Sequence, residues 1–120
     1  NKPFFAPPNW LFGPAWTLLY FLMGVSFYLI WKQNTKKKKV QIALKIFLAQ
    51  LFLNFIWSPL FFGLRSPILG LINIIALWFL IILTIYKFHP LSKWAAYLLI
   101  PYLLWVTFAT TLNGAILFLN

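Results

Sequence analysis

The sequence contains no aspartate, no glutamate and no cysteine among its 120 residues, although it carries ten lysines and arginines. A soluble domain is about 25% charged, with both signs present. Here only 8% of the residues are charged, all with one sign, and 63% are hydrophobic. This composition excludes an ordinary soluble domain and predicts an integral membrane protein.

The missing residue types also exclude several kinds of chemistry. Without carboxylates there is no Asp or Glu general base, no Ser-His-Asp triad and no carboxylate metal site. Without cysteine there is no disulfide, thiolate nucleophile or cysteine-ligated zinc. His89 is the only histidine, so one chain cannot build a multi-histidine metal site. The sequence predicts no obligatory cofactor and no metal site. Whether the chain has an enzymatic activity stays open, and the sequence favours none.

Four apolar stretches are long enough to cross the hydrocarbon core of a bilayer, which takes about 20 residues of helix. They are predicted at residues 9–31, 40–62, 67–88 and 91–119. Because the loops between them are short, consecutive helices must be antiparallel neighbours. The predicted fold is therefore an all-α membrane protein, a single up-and-down transmembrane helix bundle.

The basic residues predict the orientation of this bundle. Eight of them lie on the side that follows the first and third stretches: Lys32, Lys36, Lys37, Lys38, Lys39, Lys45, Lys87 and Lys93. Only Lys2 and Arg65 lie on the other side. By the positive-inside rule the lysine-rich side is cytoplasmic. There the lysines meet anionic lipid, so the expected partner is membrane lipid and not nucleic acid. A composition rich in Lys, Asn and Ile suggests an AT-rich genome, so we predict a bacterial cell membrane.

Polar and aromatic residues recur on single helical faces within the apolar stretches. On the second stretch these residues are Gln50, Asn54, Trp57 and Ser58, spaced i, i+4, i+7 and i+8. The fourth stretch has Tyr102, Trp105, Ala109, Leu112 and Asn113, and the first has Gly13, Trp16, Tyr20, Phe27 and Trp31. These faces predict a bundle interior lined by aromatic rings and amides, which suits a flat, aromatic, partly polar ligand.

Simpler roles compete with ligand binding for several of these residues. Amides and hydroxyls in membrane helices often only hydrogen-bond neighbouring helices, which is our interpretation of Gln50 and Ser58. Aromatic residues near helix ends anchor the helix at the interface, which fits Trp10, Trp31, Tyr86 and Trp94. Trp10 also stays among the candidate ligand contacts. Trp57 and Trp78 remain open between packing and ligand contact.

Three stretches carry a resemblance to a known family. Residues 7–20 read PPNWLFGPAWTLLY, residues 50–59 read QLFLNFIWSP, and residues 101–105 read PYLLW, followed by FATTLN at residues 108–113. They resemble the first loop and the second, third and fifth helices of the translocator protein family, also called TspO or the tryptophan-rich sensory proteins. The resemblance implies a five-helix bundle, of which this sequence covers four helices and lacks the first.

The resemblance also implies ligands and site residues. The family binds tetrapyrroles, notably protoporphyrin IX, and synthetic benzodiazepine-type ligands between its helices. Its pocket tryptophans match Trp16 and Trp105, and other pocket positions match Asn54, Trp57, Ala109 and Leu112. With the stripe residues Tyr20 and Tyr102 and with Trp10, these are the candidate ligand-binding residues. Because family members often dimerise, a homodimer is a further expected partner.

The sequence therefore predicts a membrane receptor or sensor that binds tetrapyrroles, and also sterol or benzodiazepine-type ligands. One alternative is a small multispan transporter of hydrophobic molecules. Small multidrug exporters, however, couple transport to protons through a membrane-embedded glutamate, and this chain has none. A second alternative is light-dependent porphyrin breakdown, which would have to rely on tryptophan redox chemistry.

Overall fold

The computed structural model describes residues 9–58 and 67–119, and these residues form helices joined by turns. The helices are α1 (Asn9–Trp31), α2 (Lys38–Ser58), α3 (Pro67–Phe88), α4 (Lys93–Tyr97) and α5 (Ile100–Leu119). The end of the second predicted span, residues 59–62, lies outside the described residues, as do Lys2 and Arg65. The described residues contain four segments long and apolar enough to cross a membrane, which confirms the predicted all-α transmembrane bundle.

The fourth predicted span consists of two helices and not one. Ser92 caps α4 in an extended conformation, and its side chain accepts a hydrogen bond from the backbone nitrogen of Ala95 at 3.2 Å. The chain then passes from α4 into α5 just before Pro101, the second residue of α5. Proline has no N–H to donate to the carbonyl four residues earlier, that of Tyr97. The regular helix therefore ends at Tyr97, and Pro101 takes a first-turn position where it costs little.

Helix α3 makes the most extensive contacts in the bundle, and it packs against α2, α4 and α5. Its buried face carries Ile74, Leu77 and Ile81. At the end of the helix, Phe88 stacks on Phe47 of α2 with ring centroids 5.9 Å apart. Short aliphatic and aromatic side chains thus fill the space between these helices, as in any closely packed core.

Helix α1 packs against α2, α4 and α5. The hydroxyl of Ser26 donates to the carbonyl of Ala95 at 2.6 Å, which joins the middle of α1 to α4. The outer surface of the bundle is apolar, and Phe21, Phe52 and Phe79 are each more than 60% exposed. Large apolar side chains exposed on the outside of a bundle are favourable in contact with lipid and unfavourable in contact with water.

The arrangement of the helices predicts the membrane topology. The loop between α1 and α2 and the turn between α3 and α4 lie at the same end of the bundle, since Gln33 hydrogen-bonds to Leu91. That end carries the eight lysines, which the positive-inside rule predicts to lie in the cytoplasm. Reporter fusions should place residues 36–39 in the cytoplasm and the end of α5 on the opposite side. Reporter fusions that place both positions on the same side of the membrane would contradict this topology.

Candidate functional site

Aromatic side chains of α1 and α5 meet within the membrane-spanning part of the bundle. The ring of Trp16 lies 5.6 Å from that of Tyr20, 6.3 Å from Trp105 and 6.4 Å from Tyr102. Phe12 also contacts Trp105, with ring centroids 5.8 Å apart. We call these five residues the aromatic cluster. Three of its four contacts are edge-to-face, which is the geometry that aromatic quadrupoles favour.

A chain of hydrogen bonds connects this cluster to α2. The hydroxyl of Tyr20 donates to Oδ1 of Asn54, and Nδ2 of Asn54 donates to the hydroxyl of Tyr102 at 3.0 Å. The hydroxyl of Tyr102 in turn donates to Oε1 of Gln50 at 2.7 Å. We call these four residues the amide–tyrosine network. It joins α1, α2 and α5 through polar groups, which in lipid have no water to bond instead.

The members of this network differ in their access to a ligand. Tyr102, Gln50 and Asn54 are buried, with 0%, 1% and 6% of their surface exposed, whereas Tyr20 is 39% exposed. Among the residues that the structure describes, Nε2 of Gln50 finds no hydrogen-bond partner although it is buried. A buried donor without a partner costs about 1–3 kcal/mol.

Beside the network, an apolar groove runs between α1 and α2. Its volume is about 280 Å³, and it is lined by Tyr20, Met23, Gly24, Phe27, Phe47, Leu48, Leu51 and Phe55. Tyr20 is the one lining residue that the sequence predicted as a site residue. Phe27 lies on the predicted aromatic face of α1 but was not among the candidate site residues, and the remaining lining residues are apolar residues that no polar or aromatic stripe distinguished. Their helical spacing, such as Tyr20, Gly24 and Phe27, is the signal that could have indicated them.

The structure thus brings together Trp16, Tyr20, Asn54, Tyr102 and Trp105 from three helices. Trp16 and Trp105 pack on each other, and Asn54 reaches them through the two tyrosines. Tyr20 also lines the groove, whereas neither tryptophan does. The predicted residues therefore form one connected unit, while the open space lies next to it.

The remaining candidate residues lie at the edges of this unit. Nε1 of Trp57 donates to Oδ1 of Asn113 at 3.2 Å, which ties the end of α2 to α5. Ala109 is buried one turn beyond Trp105, and Leu112 is half-buried on the same side of α5. Trp10 is 72% exposed in the first turn of α1, which suits the interfacial anchor described above.

Two residues left open or unassigned by the sequence have packing roles. Nε1 of Trp78 donates to the hydroxyl of Thr107 at 2.7 Å, so this tryptophan ties α3 to α5. Nδ2 of Asn73 donates to the carbonyl of Leu53 at 3.0 Å, so it ties α3 to α2. Both are interhelical hydrogen bonds of the kind that stabilises membrane bundles modestly.

The network predicts a specific effect on stability. Tyr102→Phe leaves Nδ2 of Asn54 and Oε1 of Gln50 without their shared partner in an apolar interior. We expect a loss of about 1–2 kcal/mol in the free energy of unfolding, seen as a lower Tm in detergent. Tyr97→Phe is the matched control, because the ring of Tyr97 is 48% exposed near the end of α4. An unchanged Tm for Tyr102→Phe would show that this hydroxyl does not support the bundle.

Comparisons with known proteins agree with these features. A family model described as the TspO/MBR family matches residues 1–119. The chain is 54% identical over 123 residues to the tryptophan-rich protein TspO of Archaeoglobus fulgidus, which covers 100% of this chain and 76% of that protein. It is 46% identical over 119 residues to the tryptophan-rich protein TspO of Chlorobaculum tepidum, covering 99% of this chain and 75% of the relative.

A more distant relative comes from an animal. The chain is 39% identical over 114 residues to the translocator protein of Homo sapiens, covering 94% of this chain and 68% of the human protein. The long match to the family model, the identity to these relatives and the four membrane-length helical segments lead to one assignment. This chain belongs to the TspO/MBR family and is a multi-pass integral membrane protein.

Proposed function

We propose that this TspO-type membrane protein binds tetrapyrroles, such as protoporphyrin IX, against the aromatic cluster and the adjoining groove. The observation that carries the proposal is the position of Trp16, whose ring meets Tyr20, Tyr102 and Trp105 at 5.6 to 6.4 Å. Such a group of rings offers flat apolar faces to a flat aromatic ligand. The family resemblance supplies the ligand class.

The polar groups next to the rings would orient the ligand. Tyr20 belongs to the aromatic cluster, the amide–tyrosine network and the wall of the groove. A ligand in the groove therefore contacts a ring whose hydroxyl is already fixed by Asn54. A few fixed donors and acceptors in a mostly apolar site are the usual source of orientation and specificity.

The size of the groove bears on how the ligand enters. Ligand pockets usually measure about 300–1,000 Å³, so a groove of about 280 Å³ lies at the small end of that range. A tetrapyrrole is larger than this groove, so it would occupy the groove only in part and extend along the rings of the aromatic cluster.

The chemistry of the chain favours binding over turnover. The sequence offers no carboxylate and no thiol, and its single histidine, His89, lies exposed in the turn between α3 and α4. General acid–base catalysis needs a positioned proton donor or acceptor near the ligand. The aromatic cluster and the amide–tyrosine network supply only phenyl, indole, phenol and amide groups, which suit recognition.

The proposal predicts unequal effects of two tryptophan substitutions. Trp105→Ala removes a ring of the aromatic cluster, and loss of a stacking partner costs about 1 kcal/mol, or about fivefold in affinity. Trp94→Ala is the matched control, because Trp94 is 71% exposed in α4 and contacts the ring of Tyr97. Its removal should leave the affinity unchanged.

The affinity is measured by titrating protoporphyrin IX into the purified protein in detergent, in the dark. The readout is the porphyrin absorbance band, since each variant also changes the tryptophan fluorescence. Tm values of both variants show whether they remain folded. Equal affinities of the two variants would remove Trp105 from the site, and no saturable binding to the full chain would refute the proposed function.

A further inference from the structure

Two lysine-rich segments that are distant in sequence form one surface in the structure. Nε2 of Gln33, in the loop between α1 and α2, donates to the carbonyl of Leu91 at 2.8 Å. Leu91 lies in the turn between Lys87 and Lys93. This hydrogen bond therefore holds the segment that contains residues 36–39 close to the turn between Lys87 and Lys93.

The loop has a defined conformation that holds its lysines outward. The backbone nitrogen of Lys36 donates to Oδ1 of Asn34 at 3.0 Å, and that of Lys37 donates to the carbonyl of Asn34 at 3.1 Å. Nε2 of Gln41 donates to the carbonyl of Thr35 at 3.0 Å. All four lysines at residues 36–39 are exposed. We call the whole surface the basic platform: Lys32, Lys36, Lys37, Lys38, Lys39, Lys45, Lys87 and Lys93.

The protein has no carboxylate side chain to neutralise this platform, because the sequence has no aspartate or glutamate. Lys38 and Lys39 also occupy the first turn of α2, which carries no acidic residue. The amide groups at the start of a helix give that end a partial positive charge, which disfavours nearby cations. The negative charge that balances the platform must therefore come from outside the chain.

Exposed aromatic side chains place the platform at the level of lipid headgroups. They are Tyr28, Trp31, Tyr86, Trp94 and Tyr97, each 48% or more exposed. Nζ of Lys32 lies 5.9 Å from the ring centre of Tyr28, and Nζ of Lys87 lies 5.7 Å from that of Tyr86. Tyrosine and tryptophan collect at the membrane–water interface, and lysines beside them extend into the headgroup layer.

From these observations we infer that the basic platform is a binding surface for anionic phospholipids, whose headgroup phosphates contact lysines of both segments. Charge complementarity favours anionic lipid as the partner, because the platform is positive. The platform also lies next to the apolar, lipid-facing surface of the bundle. The loop and the turn act together, since Gln33 holds them in contact. This surface is separate from the proposed tetrapyrrole site, which lies within the bundle.

The test measures lipid binding to the purified full chain in a non-ionic detergent. Phosphatidylglycerol, phosphatidylcholine and inorganic phosphate are added separately, and bound lipid and Tm are recorded. We expect phosphatidylglycerol to bind and to raise the Tm, increasingly so at low salt. Phosphatidylcholine and phosphate should do neither. Equal effects of phosphatidylglycerol and phosphatidylcholine would overturn the inference, and an equal effect of phosphate would show a simple anion site instead.

Matched double variants distinguish a local surface from overall charge. Lys36→Gln with Lys37→Gln and Lys87→Gln with Lys93→Gln each remove two charges from the platform. Each pair should weaken phosphatidylglycerol binding by up to about thirtyfold, because each basic residue near anionic lipid contributes about fivefold. Lys2→Gln with Arg65→Gln removes the same charge from two positions that the sequence predicts on the opposite side, and it should change little. Equal losses of phosphatidylglycerol affinity in all three double variants would show that binding depends only on net charge, and would overturn the inference of a local surface.

A neutral substitution tests whether the two segments act as one surface. Gln33→Leu removes the hydrogen bond to Leu91 and leaves every charge in place. We expect this variant to bind phosphatidylglycerol more weakly than the parent chain does. In the absence of lipid, the variant and the parent chain should have similar Tm values. Unchanged lipid binding in this folded variant would show that the loop and the turn bind lipid independently, and would overturn the composite surface.

Discussion

The bundle depends on one constraint, which is that polar side chains inside a membrane must find their partners among neighbouring helices. The amide–tyrosine network meets this constraint for Tyr20, Asn54, Tyr102 and the amide oxygen of Gln50, and in doing so it fixes α1, α2 and α5 relative to one another. Apolar packing alone would not do this, because lipid tails solvate an apolar helix face as well as another helix does. Hydrogen bonds, in contrast, are directional and specify one arrangement.

The aromatic cluster follows from the position of this network. Tyr20 and Tyr102 each carry a hydroxyl in the network and a ring in the cluster, so the same two residues fix the polar contacts and the position of Trp16. Trp105 then completes the group from α5. A ligand that contacts these rings would meet side chains already held in place, and such preorganisation lowers the entropy lost on binding.

The absence of acidic residues affects both the interior of the bundle and its lysine-rich end. Inside the bundle it leaves amides and hydroxyls as the buried polar side chains of the described residues, and these groups form hydrogen bonds without carrying a charge. At the lysine-rich end it leaves a positive surface without an internal counter-charge. Exposed aromatic side chains lie near that surface, which supports the anionic lipid partner proposed above.

Composition and helical periodicity by themselves determined the class of fold, the four spanning segments, the lysine-rich side and the faces that carry Trp16, Asn54 and Trp105. Periodicity defines a face on each helix, but it does not define which faces meet. Only the tertiary structure decided that Gln50 bonds to Tyr102, that the groove lies between α1 and α2, and that Gln33 joins the two lysine-rich segments. These features depend on contacts between residues distant in sequence, whose geometry is set by the packing of the whole bundle.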